Sequence, residues 1–75
     1  MVESFYRHIV IASGLSKEEA DFIKGELFVK GFTSAYARNN IIEGFDIVID
    51  NRQNVNVFDL LDHLIVNGFS DAKLE

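Results

Sequence analysis

The side chains best suited to chemistry in this 75-residue sequence are two histidines, His8 and His63, and five serines. The histidines stand far apart, and neither they nor Ser4, Ser13, Ser16, Ser34 and Ser70 show a spacing that supports a nucleophile, a base and a group to orient it. There is no cysteine, so a thiolate nucleophile, a disulfide and a thiolate metal site are all excluded. Gly14 stands alone, without the further glycines of a phosphate-cradling loop. The expectation is a non-enzymatic protein with no cofactor and no metal.

The acids carry more information. Residues 1–40 hold Glu3, Glu18, Glu19, Asp21 and Glu26 against Arg7, Lys17, Lys24, Lys30 and Arg38, which balance. Residues 41–75 hold Glu43, Asp46, Asp50, Asp59, Asp62, Asp71 and Glu75 against only Arg52 and Lys73, so the net charge of −5 sits in the second half. A broad basic face for nucleic acid is therefore not expected, whereas an acidic face suits a basic partner. No secretory signal is seen after Met1, and no run approaches the roughly 20 apolar residues of a membrane span. The expected setting is soluble and cytoplasmic. Leu74-Glu75 reads equally as native or as the remnant of an expression tag.

The elements that must position these groups are set by a repeat. Phe45-Asp46-Ile47-Val48-Ile49-Asp50 is echoed by Arg7-His8-Ile9-Val10-Ile11-Ala12 at an offset of 38, and Val29-Lys30-Gly31-Phe32 by Val66-Asn67-Gly68-Phe69 at 37. Both β-branched runs read as buried central strands. The chain is then one domain, 1–75, with pseudo-repeats 5–38 and 43–75.

In order, a strand is expected over Phe5–Ala12 and a turn at Ser13-Gly14-Leu15. Ser16 is the expected N-cap, with Glu19 closing a capping box. A helix follows over Lys17–Lys30, with Ala20, Ile23, Leu27 and Phe28 inward, Gly25 weakening its middle and Gly31 ending it. A second strand covers Phe32–Arg38, and Asn39-Asn40 is the favoured hairpin turn, with Glu43-Gly44 competing. The third strand runs to Asp50, and Asn51–Gln53 is loop. Asn54 or Asn56 caps a second helix whose buried stripe is Val57, Leu60, Leu61, Leu64 and Ile65, with Asp59, Asp62 and His63 toward water. Asn67-Gly68 ends it, and Phe69–Leu74 is the last strand.

This βαββαβ order predicts a ferredoxin-like α+β sandwich, internally duplicated, with a four-stranded antiparallel sheet and two helices on one face. Alternation places Tyr6, His8, Val10, Tyr36, Arg38, Asp46, Val48 and Asp50 on the other, uncovered face. With a pseudo-two-fold near Val10 and Val48, His8 lies across from Asp50, where a carboxylate would raise its pKa. Such an open face invites a cover, and a second copy is the simplest, so a homodimer is expected.

The small ferredoxin-like hydrolases of acyl phosphates carry an arginine in the first loop, and ferredoxin-like metal chaperones a cysteine pair; Ser13-Gly14-Leu15-Ser16 has neither. Gly14 through Tyr36, with Ser16-Lys17-Glu18-Glu19-Ala20 and Lys30-Gly31-Phe32-Thr33-Ser34-Ala35-Tyr36, is similar to half of a SPOR domain, and that resemblance implies binding of bacterial cell-wall glycan. The leading expectation is a protein-binding regulator or inhibitor that offers an acidic surface to a basic, nucleic-acid-binding protein, as phage-encoded viral DNA mimics do. Its binding residues would be Tyr6, His8, Val10, Tyr36, Asp46, Val48, Asp50, Asp59 and Asp62, without direct contact to nucleic acid or membrane. The alternatives are a small-molecule-sensing regulatory domain of ferredoxin-like type and the glycan-binding module.

Overall fold

Ile9, Ile11, Ile47 and Ile49 project to one side of two paired strands, and the hydrophobic core forms on that row. The structure, a computed structural model, describes residues 8–40, 42, 44–50 and 56–75. Its elements are β1 (His8–Leu15), α1 (Lys17–Val29), β2 (Tyr36–Asn40), β3 (Gly44–Asp50), α2 (Val57–Val66) and β4 (Lys73–Leu74). All strand pairs are antiparallel, and the order β2-β3-β1-β4 places β1 and β3 at the centre. The fold is α+β: a four-stranded antiparallel sheet with two helices. One apolar cluster joins the four isoleucines to Ala20 and Leu27 of α1 and to Val57 and Leu64 of α2, so both helices cover the same face. Burying side chains of this size contributes about 1.5–3 kcal/mol each.

Both helices begin and end on local chemistry. The Ser16 hydroxyl accepts from Glu19 N–H at 3.1 Å while the Glu19 carboxylate accepts from Ser16 N–H at 3.0 Å, and that backbone bond holds the Glu19 pKa below its usual value. Asn56, rather than Asn54, caps α2 by accepting from Phe58 N–H at 3.0 Å; Asn54 lies outside the described residues. At the other end, Phe32 N–H reaches Leu27 O and Gly31 N–H reaches Phe28 O, a Schellman motif with Gly31 at φ +95°. The second helix repeats it, with Phe69 N–H on Leu64 O, Gly68 N–H on Ile65 O and Gly68 at φ +100°. The two phenylalanines that follow the glycines meet edge to face, 6.2 Å between ring centres. The Lys30 ammonium donates to the Asn67 carbonyl and stands 5.1 Å from the centre of the Phe69 ring.

These caps correct two strand boundaries. Phe32 and Phe69 are spent closing the helices, so β2 starts at Tyr36 instead of Phe32, and β4 is only Lys73–Leu74 instead of Phe69–Leu74. Asn39 and Asn40 are not a turn: they pair with Phe45 and Gly44, and the reversal falls between Asn40 and Gly44. β1 does not stop at Ala12. It continues to Leu15 through two bulges, one where Ile11 and Ala12 oppose Ile47, and one where Ser13 and Gly14 oppose Asp46. Its expected start, Phe5 to Arg7, lies outside the described residues, as does the Asn51–Gln53 loop. Two residues assigned to the helix cores are exposed, Phe28 at 65% and Ile65 at 42%, because each lies about 100° round the helix from the truly buried Leu27 or Leu64.

Two glycines should respond in opposite ways. Gly44 has φ +79°, and a Cβ there would strike the carbonyl oxygen of Leu15, so Gly44→Ala is expected to cost at least about 2 kcal/mol. A Cβ on Gly25 would meet nothing within 4 Å, so Gly25→Ala should add about 0.5–1 kcal/mol. Urea denaturation of both variants checks the pair of signs.

Candidate functional site

The face of the sheet away from the helices is built by pairing register. His8 lies opposite Asp50, Val10 opposite Val48, Tyr36 opposite Val48, and Arg38 opposite Asp46. On the far side Val10 pairs with Lys73, and His8 exchanges backbone hydrogen bonds with Glu75. Directly paired residues share a face. The sheet therefore presents a row of Asp50, His8 and Glu75, a row of Tyr36, Val48, Val10 and Lys73, and a row of Arg38 and Asp46.

Asp46 is the buried charge of this face, only 4% exposed. Its carboxylate accepts from Arg38 Nη2 at 3.1 Å, from Asn40 Nδ2 at 3.2 and 3.3 Å, and from the N–H of Gly14. Gly14, at φ +68° in the second bulge, turns that N–H toward Asp46. Burial pushes the Asp46 carboxyl up, but the donors from Arg38, Asn40 and Gly14 outweigh it and hold its pKa below the ordinary value. Arg38 is shared: its Nη1 and Nη2 also take the Glu75 carboxylate at 2.8 and 3.2 Å. Glu75 and then Asp46 raise the Arg38 pKa, and Arg38 in turn lowers that of Glu75.

The Arg38–Glu75 bridge runs from β2, in the Asp46 row, to the end of the chain beyond β4, in the His8 row. It crosses diagonally above the Val10–Val48 pair. The expectation of an uncovered face fails for these two residues: Val10 is 2% exposed and Val48 not at all.

At the other end of the face Tyr36 donates its hydroxyl to Asp50 Oδ1 at 2.9 Å, and His8 Nδ1 lies 3.1 Å from the same oxygen. The His8 contact is an ion pair in reach when the imidazole is protonated. It lacks hydrogen-bond geometry, and Nδ1 makes no hydrogen bond elsewhere.

The structure therefore gathers His8, Val10, Tyr36, Asp46, Val48 and Asp50 on one face, as their alternation implied. Tyr6 lies outside the described residues. Asp59 and Asp62 are exposed on α2, behind the sheet, so the nine candidate residues do not form one patch. Sequence reasoning missed Asn40 as the partner of Asp46, having placed it in a turn. It also missed a second apolar stripe on α1, Phe22 and Val29 about Gly25; the signal was present, since an exposed glycine flanked by large apolar residues at −3 and +4 has no use in a solvated face. Among the described residues no group of three or more His, Cys, Asp or Glu gathers to hold a metal, and no helix is long and apolar enough to cross a membrane. Comparison with protein-family models, with curated proteins and with solved structures finds no match.

Chemically, the sheet face spends its donors and acceptors on one another. Asp46→Asn should remove about 2 kcal/mol, the scale of hydrogen bonds to a charged group lost at a buried site. Because the folded pKa of Asp46 lies below the unfolded value of about 3.9, the unfolded chain binds the proton more readily. Its stabilisation is complete above that pH and is lost as pH falls through the depressed folded value. Urea midpoints measured from pH 7 down to 2 should drop below about pH 4 in the parent chain and drop less in Asp46→Asn.

Proposed function

We infer that the chain is a small non-enzymatic protein-binding domain, a regulator or inhibitor that offers an acidic surface to a basic protein. The architecture proposed for it is ferredoxin-like and duplicated. In support, Val10 pairs with Val48 at the 38-residue offset of the repeat, and Lys30 with Asn67 and Phe32 with Phe69 touch at the offset of 37.

One observation carries the binding assignment. The valines of the sheet face are buried, yet the two helices leave Phe22, Phe28, Val29, Phe58, Ile65 and Val66 exposed. Large exposed apolar side chains rimmed by charge mark interaction surfaces. On α2 the residues Phe58, Asp59, Asp62, Ile65 and Val66 fall on one side of the helix, with both acids in water. The acidic contribution to binding thus comes from the helical side, while Asp46 and Asp50 are engaged within the sheet face.

An Asp59→Asn, Asp62→Asn double variant tests this. Both positions are exposed, and the loss of Asp59 from the first turn of α2 costs at most about 1 kcal/mol, so circular dichroism should be unchanged. The immobilised parent chain is expected to retain a basic protein from host lysate at low salt and release it at high salt, because such contacts are screened. The double variant should retain much less. Equal retention by both chains, or retention indifferent to salt, sinks the acidic-surface assignment.

A further inference from the structure

α1 has two apolar stripes. One, Ala20, Ile23 and Leu27, packs on the sheet; the other, Phe22, Gly25 and Val29, points away from it. At about 100° per residue Gly25 lies opposite the core line, with Phe22 and Val29 to one side of it. Phe22 is 68% exposed and Val29 85%. Around them lies an open depression of about 470 Å³ lined by Asp21, Phe22, Gly25, Glu26, Val29 and Lys30.

Three features of this depression agree. Phe22, Gly25, Glu26 and Val29 stand at i, i+3, i+4 and i+7, the four corners of the hole that receives one side chain from a packing helix. A glycine in mid-helix costs up to about 1 kcal/mol relative to alanine, and here nothing within the chain requires it, since a Cβ would meet only open space. Two of the lining side chains are carboxylates, Asp21 on one side and Glu26 on the other, with Glu18 one turn earlier, while Lys17 and Lys24 stand beyond Asp21 outside the lining. Lys30, the single cation among the lining residues, is drawn away to the Asn67 carbonyl and the Phe69 ring.

We propose that this hole is the docking site for one amphipathic helix of the partner protein. That helix sets a leucine- or phenylalanine-sized side chain over Gly25 and places a lysine or arginine three or four residues to either side, against Asp21 and Glu26. The inference rests on the protein-binding reading above and gives the partner its form: a basic helix.

The test titrates the isotopically labelled chain with a synthetic 18-residue peptide carrying one leucine stripe flanked by lysines, and with the same peptide bearing glutamates for lysines. Saturable amide shifts confined to residues 18–30 are expected with the lysine peptide, and binding at least tenfold weaker with the glutamate peptide. Gly25→Leu fills the hole from within, where there is room for it, and should weaken the lysine peptide at least tenfold while leaving the circular dichroism spectrum intact. Absence of α1 shifts, or shifts unchanged in Gly25→Leu, overturns the proposal. So does a doubled hydrodynamic mass with α1 shifts on concentrating the chain alone, which assigns the hole to a second copy. If Gly25→Leu binds no peptide yet still retains the basic protein from lysate at low salt, the docking site is wrong and the protein-binding reading stands. If the parent chain retains no such protein, that reading fails whatever the peptide does.

Discussion

A carboxylate taken out of water must be surrounded by donors, and Asp46 draws them from both strands that flank it. β1 takes up an extra residue so that the Gly14 N–H can turn to it. β2 is carried to Asn40 so that a side-chain amide arrives from one side. Arg38 lies across it and, with its remaining donors, holds Glu75. The same guanidinium that satisfies the buried charge thus ties the Asp46 row of the face to the His8 row. The bulge has a further cost in sequence freedom. It brings the Leu15 carbonyl against β3 at Gly44, where no side chain fits.

The opposite face is governed by a different rule. Its isoleucines need only be covered, and the helices that cover them are closed by the same motif twice, a left-handed glycine followed by a phenylalanine that turns back onto the core. Because Phe32 and Phe69 then touch, the ends of the two helices are clamped to each other as well as to the sheet. Lys30 reinforces this clamp.

What could be read in advance follows the range of the interaction. The Ser16–Glu19 capping box, the glycines at 31 and 68 and the alternation of His8, Val10, Asp46, Val48 and Asp50 depend on neighbours a few residues away, and all of them are present in the structure. The opposition of His8 and Asp50 was expected from the echo between the two isoleucine-rich runs, and the two residues are paired. The partners of the buried Asp46 were not legible. Arg38 and Asn40 are delivered from an edge strand, which no local pattern records. The exposed stripe on α1 was overlooked for another reason: a helix read for its buried side gives up Phe28 to the core too readily, and the side opposite is then taken as solvated.

In most sheets the outermost strands are held only by their inner neighbours, and each can peel away without the other noticing. Here the two margins, β2 and the two-residue β4, are joined to one another over the top of the central pair by Arg38 and Glu75. Fraying at the short margin therefore takes a partner from Arg38 on the far margin as well. The sheet is closed in the manner of a buckle.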